Sequence, residues 1–402
     1  MMAIPRYRPH HGAALLSAGF RPFFLAAACW AALAVPLWLA AYAGRLIVPS
    51  ALPPVVWHVH EMVYGFAAAS VAGFLLTAIP NWTGRMPLQG GALALLLLAW
   101  GAGRAAVLLS SALGAPAAAI LDLAFPALFL AVVAREILAG RNWRNLPMLA
   151  ALSLLLIGNL LVHLDAVGLA ETAELGNRIG IATLLTLITL IGGRIIPSFT
   201  RNWLTRAQPG KPPPAPEGAL DRAALVIAAA ALALWAADPE AAVTPWAALA
   251  AGTALAVRLS RWRGLRTIRE PLLLMLHIGY GWLVLGLLLL GLNGLVEILP
   301  ATAALHALTA GAIGTMTLAV MTRASLGHTG RPLAAGSGTK AIYALVTLAA
   351  ALRVLSPLAP EHVVLVLALA GSAWSAAFCL FAILYGGPLV QPRVAGNAAR
   401  PI

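Results

Sequence analysis

The sequence predicts an all-α polytopic membrane protein with twelve transmembrane helices. Three observations carry that prediction. Of 402 residues, 61% are hydrophobic and only 10% are charged; the mean hydropathy is +0.90; and the apolar residues gather into runs of about 20, the length that spans a bilayer. The runs fall near 22–43, 56–79, 91–109, 116–138, 146–168, 176–197, 220–237, 243–259, 271–291, 300–321, 338–354 and 361–385. Residues 1–402 therefore read as a single transmembrane domain. Pro53, Pro54, Pro80, Pro197, Pro271 and Pro300 stand near the ends of runs, where a residue that cannot continue a helix marks the backbone leaving the membrane.

The first run, from Phe23 to Tyr42, is too long for a signal-peptide core and is expected to be retained as a helix. The largest interruption, RAQPGKPPPAPEGALDR at 206–222, reads as a cytoplasmic Pro-rich linker. Two cysteines, Cys29 and Cys379, lie in apolar runs near opposite ends of the chain, which excludes a disulfide framework and a cysteine-type zinc site.

Charge gives an orientation. If all twelve runs insert, 22 of the 26 Lys and Arg fall in the N-terminus and the even-numbered loops, leaving Arg45, Arg104, Arg178 and Arg353 on the other side. The positive-inside rule then puts both termini in the cytoplasm. The net charge of +13 is thus accounted for by topology. Nucleic acid is excluded as a partner, because the charge is spread over loops and no RNA- or DNA-binding motif accompanies it.

This alternation turns the second run inward, so WHVHEM (57–62) is its outer end. His163 falls in the last turns of the fifth run and His306 in the first turns of the tenth, which places His58, His60, His163 and His306 within roughly 10 Å of one face at ~1.5 Å rise per residue. His277 lies deeper. Any one of these histidines reads equally well as an interfacial polar residue with a satisfied hydrogen bond. Together they point to a metal, since ionisable groups in spanning segments usually mark a function and imidazole ligates both haem iron and copper. At i and i+2 the rings of His58 and His60 leave a helix about 200° apart and should serve different partners. Glu61 and Tyr64 are candidates to support the ligands or relay protons.

The inner ends of the second, sixth and tenth runs resemble one another: LLTAIPNWTGR (75–85), GGRIIPSFTRNW (192–203) and LAVMTRASLGHTGR (318–331). Spaced four runs apart, they suggest three pseudo-repeats of four helices. Their Arg, Asn and Thr content reads either as positive-inside anchoring or as a packed network that locks the three helices together.

SAGFRPFF (17–24), WHVHEM, GFLLTAIPNWTGR (73–85), GRIIPSFTRNW (193–203) and GTMTLAVMTRASLGHTGR (314–331) closely resemble, in this order, the NnrS family of bacterial membrane proteins tied to nitric-oxide stress and denitrification. The resemblance implies a twelve-helix inner-membrane protein that carries haem and copper and acts in the response to nitric oxide. It leaves open whether nitric oxide is reduced, bound or sensed. Haem–copper oxidoreductases also arrange twelve helices as three arcs of four, an analogy at the level of fold alone. On that analogy His60 and His306 would ligate one haem, with His58, His163 and His277 left for copper or a second haem. Arg178 and Arg353, at outer helix ends, would be cationic partners for propionates.

Two classes of function follow. One is a redox enzyme that takes nitric oxide from the lipid bilayer and draws on an unidentified electron donor; a haem sensor without turnover is its variant. The other is a transporter using Glu61, Asp122 and Asp165 as intramembrane ion sites. On the haem reading, His60→Ala and His306→Ala each change the visible spectrum or empty the site, whereas His58→Ala keeps haem and loses a second metal. Haem and copper content per folded protein, measured in the three variants, tests this.

Overall fold

The computed structural model describes residues 12–208, 213–296 and 299–394. Among the described residues no strand occurs and there are twelve long helical rods. They are α1 (Phe20–Tyr42), α2 (Pro54–Thr83), α3 (Gly90–Leu108), α4 (Ala115–Ala139), α5 (Trp143–Ala166), α6 (Ala173–Ala207), α7 (Ala219–Ala237), α8 (Thr244–Ser260), α9 (Pro271–Val296), α10 (Ala301–His328), α11 (Ser337–Leu358) and α12 (Pro360–Val390). Eleven are long and apolar enough to cross a membrane. The exception is α8, whose 17 residues extend about 26 Å against a hydrocarbon core of about 30 Å.

Prolines mark some boundaries as expected. Pro53 caps α2 with Pro54 in its first turn, Pro271 opens α9, and Pro300 caps α10. Pro80 and Pro197 do not end their helices. They lie inside α2 and α6, which continue to Thr83 and Ala207. A proline forfeits one backbone bond, and spanning helices tolerate this where neighbouring groups satisfy the freed carbonyl. The inner motifs are therefore helical, and α10 carries its own as far as His328. The expected linker at 206–222 is confined between the end of α6 and the start of α7, and its residues 209–212 lie outside the described residues, as do His10 and His11.

The described residues fall into two compact units. One comprises residues 12–180 with Ala324–Thr329 and Ala382–Val394; the other comprises the described residues of 181–323 and Gly330–Phe381. In the first, α1 packs on α2, and α4 packs on both α3 and α5; in the second, α8 packs between α7 and α9, and α9 packs on α10.

Three spanning helices contain a π-helical stretch: Glu61–Ala67 in α2, Ile188–Gly192 in α6 and Ala307–Gly314 in α10. These are the second, sixth and tenth rods. The wider turn shifts the side-chain register and frees backbone groups, and such insertions gather at functional sites. His60 is the residue before the first stretch and His306 the residue before the third.

Two arginines counted as cytoplasmic topology signals are buried in the protein. Arg21 donates to the carbonyls of Pro388, Leu389 and Gln391, within the first unit. Arg258 is held in the second unit: its Nε donates to Asp221 Oδ1 at 3.1 Å, and its Nη1 donates to the Thr189 carbonyl of the α6 π stretch at 3.0 Å and to the Tyr280 hydroxyl at 3.3 Å. Of the suspected inner network, Arg323 stacks 4.3 Å from the Phe199 ring. Asn81 is exposed and bonds only weakly to Thr77 of its own helix, at 3.4 Å.

These contacts rank three substitutions by thermal unfolding in detergent. Asp221→Ala strands the buried Arg258 guanidinium and should cost roughly 3–5 kcal/mol. Arg323→Ala removes a cation–π contact worth about 1–2 kcal/mol. Asn81→Ala should change stability by less than about 0.5 kcal/mol. An Asn81→Ala variant as unstable as Asp221→Ala would restore the network reading for the inner motifs.

Candidate metal centre

Four helices of the first unit converge on one polar knot. The start of the π stretch in α2 supplies His60 and Glu61, α3 supplies Arg104, α4 supplies Asp122, and α5 supplies Asn159 and His163, which are four residues apart and so share a helix face. All six are buried, and the His60 and Glu61 side chains are fully enclosed. Close approach of α3 and α4 depends on Gly103: a Cβ there would lie 2.6 Å from Asp122 Oδ1 and 3.0 Å from its Cα.

Asp122 is the hub. Its Oδ2 lies 3.2 Å from His60 Nε2 and 2.9 Å from His163 Nε2, and accepts a hydrogen bond from Asn159 Nδ2 at 2.8 Å. Its Oδ1 is paired with Arg104 Nη2. Arg104 Nη1 donates to Glu61 Oε1 at 2.6 Å, and the same oxygen stands 3.0 Å from His60 Nδ1. His60 Nε2 also lies 2.8 Å from Asn159 Oδ1. Among the described residues, His60, Asp122 and His163 are the one group of three that offers ligand atoms all within 4.8 Å of one another.

The charges of the knot explain what it can hold. Two carboxylates face one guanidinium and two imidazoles, so neutral imidazoles leave one negative charge in a low-dielectric interior. One further positive charge closes the balance. A proton on an imidazole supplies it, and so does a monovalent metal cation between neutral imidazoles. The two spacings to Asp122 Oδ2, 3.2 and 2.9 Å, lie near the about 3.3 Å that bonds of about 2.0–2.1 Å in tetrahedral geometry put between ligand atoms. Glu61 on the far nitrogen of His60 is the usual second partner of a metal-binding imidazole.

The other predicted residues are placed elsewhere. The His58 ring leaves α2 on another side and stacks on Trp38 at 4.2 Å, with Tyr42 on the same indole at 5.3 Å. Tyr64 flanks the knot, its ring 5.4 Å from that of His60, but its hydroxyl donates to the Gly176 carbonyl at 2.6 Å. In the second unit, His277 Nε2 lies 2.9 Å from Thr200 Oγ1, and His306 Nδ1 donates to the Thr302 carbonyl at 2.7 Å. Arg178 pairs with Glu174 at 3.5 Å on its own helix, and Arg353 donates to Ser356 Oγ at 3.1 Å. Asp165, considered as an ion site, caps α6 instead by accepting from the amides of Thr172 and Ala173.

Sequence reasoning missed Arg104 as a site residue, because it was assigned to the outer ends of helices, and missed Asn159 altogether. Their signals were present: a lone arginine within the apolar stretch WGAGRAAVL (100–108), and an amide one helical turn before His163.

No curated protein sequence matches the chain. The family model described as NnrS protein matches residues 14–393, nearly the whole length, and the chain therefore belongs to the NnrS family.

Proposed function

We propose that the chain is a multi-pass protein of the bacterial inner membrane, with both termini cytoplasmic, that acts in the nitric-oxide response through copper held by His60, Asp122 and His163. The observation that carries this reading is the buried donor triad, with ligand atoms within 4.8 Å of one another inside spanning helices. Two imidazoles and a carboxylate suit copper, and three protein ligands leave a coordination position open.

Copper bound there supplies a one-electron couple and an open position for a small uncharged molecule such as nitric oxide, which crosses lipid unaided. The residues supply the rest. Glu61 fixes the His60 ring through Nδ1, Asn159 orients both His60 and Asp122, and Arg104 neutralises the two carboxylates. The enclosing helices exclude bulk water, which strengthens every one of these interactions. Electrons would come from an unidentified donor.

His60 fits copper better than haem, since both of its ring nitrogens already face the knot. His306 is the better haem candidate. Its Nδ1 is tied to a backbone carbonyl, the arrangement that orients an imidazole to ligate through Nε2, and it precedes a π stretch as His60 does. The three π stretches at four-helix spacing favour the pseudo-repeat, and with it the haem–copper analogy. The transporter reading is weakened by the capping role of Asp165.

Metal content and visible spectra of the purified protein test the assignment. Asp122→Asn and His163→Ala should lower bound copper at least tenfold and keep any haem band, whereas His306→Ala should lose the haem band and keep copper. His58→Ala and His277→Ala should change neither. Copper retained in both Asp122→Asn and His163→Ala would remove the metal from this site.

A further inference from the structure

A pocket adjoins the knot, walled by the same three helices that supply its donor triad. On α2, His60 belongs to the knot, and Tyr64 and Ala68, one and two turns further along, line the pocket. On α4, Asp122 belongs to the knot, and Pro126 and Phe129 line the pocket. On α5 the numbers descend, with Leu155 and Leu152 following Asn159 by one and two turns. Asn159 belongs to both layers: it lines the pocket, while its Nδ2 donates to Asp122 Oδ2 at 2.8 Å and its Oδ1 lies 2.8 Å from His60 Nε2. One amide therefore stands between the cavity and two of the three donors.

Walls and size select the occupant. Phe125 and Phe129 stack with ring centroids 5.9 Å apart and planes 3° from parallel, and they share the pocket with Leu152 and Leu155, all four buried. Its polar residues are already engaged, Asn159 within the knot and Tyr64 through its hydroxyl on the Gly176 carbonyl. A buried water needs two to four polar partners, whereas walls of this kind favour an uncharged apolar guest. The pocket encloses about 340 Å³ counting its open mouth, yet its interior admits only about one water-sized sphere. That shuts out a haem, a quinone or a hydrated ion, and leaves room for a molecule of about two heavy atoms.

Of the lining residues only Ala68 and Pro126 are partly exposed, which puts the mouth beside them. The outward faces of α4 and α5 carry Leu121, Leu128, Leu154 and Ile157, each 41–46% exposed, as a surface against lipid should. Pro126 has no N–H to give the carbonyl of Asp122 one turn back, so α4 forgoes a backbone bond to the hub residue at the lip of the pocket.

We propose that this pocket takes up an uncharged apolar diatomic molecule from the bilayer and presents it to the knot across Asn159. The identity of that molecule as nitric oxide rests on the function proposed above; the pocket itself requires no metal.

Crystals of the full chain pressurised with xenon test the pocket, because xenon is uncharged and apolar and reports such a cavity whether or not copper is bound. The expected result is a xenon peak within about 4.5 Å of Phe125, Phe129 and Leu155. It should be lost in Ala68→Leu, which fills the mouth, and strengthened in Leu152→Ala, which widens the cavity; the second variant keeps the test decisive if the first fails to assemble. In copper-loaded protein the association rate of nitric oxide, followed by stopped flow, should fall severalfold in Ala68→Leu at unchanged copper content. No xenon here in either the wild type or Leu152→Ala, a peak unchanged in Ala68→Leu, or an unchanged association rate in a variant that has lost xenon overturns the proposal. Xenon bound here by protein that holds no copper supports the pocket and counts only against the metal assignment.

Discussion

The first unit is organised around the neutralisation of Asp122. A carboxylate buried two turns into a spanning helix is tolerated only if its charge is matched in place, and Asp122 meets that condition with Arg104 from α3, His60 from α2, and Asn159 and His163 from α5. Each partner comes from a different neighbour or a different turn, so the pairing fixes how four helices stand against one another. The same demand explains local sequence choices, from the glycine at 103 that lets the carboxylate approach α3 to the π turn that sets His60 and Glu61 against the knot. Apolar packing alone would leave the rotation of these Ala- and Leu-rich helices loosely specified, because lipid is as apolar as the core.

Much of the architecture was legible because membrane helices declare themselves by length and apolarity. Each of the twelve expected runs has a helix over it. What composition did not show was where helices stop. Pro80 and Pro197 were read as boundaries by the rule for exposed helices, whereas in these rods the helix runs on for several residues. The π stretches were equally hidden, since they follow from tertiary fit and leave no residue signature in EMVYGFA, ITLIG or ALTAGAIG.

The candidate site divides along a similar line. Depth can be computed from helical rise, and it grouped His58, His60, His163 and His306. Azimuth and neighbourhood cannot be computed in that way: the structure joins His60 to His163, stacks His58 on Trp38, and gives His306 a contact with Thr302 in the second unit. Buried cations were the other blind spot. Arg21, Arg104 and Arg258 entered the sequence reading as markers of which side a loop occupies, because formal charge does not distinguish an arginine at a headgroup from one clasped by carbonyls or a carboxylate.

The two buried arginine–aspartate pairs also bear on how the chain enters the bilayer. Arg104 and Asp122 are 18 residues apart on the consecutive helices α3 and α4, and Asp221 and Arg258 are 37 apart on the consecutive helices α7 and α8. Each pair is therefore closed within one helical hairpin. A hairpin that leaves the translocation machinery as a unit presents lipid with a neutralised dipole, whereas either helix released alone would carry a bare charge worth several kcal/mol against partitioning. The order of charges is reversed between the pairs, arginine first in α3–α4 and aspartate first in α7–α8, but the local closure is common to both. Partners placed on distant helices would have required one charge to wait in lipid for the other to be synthesised.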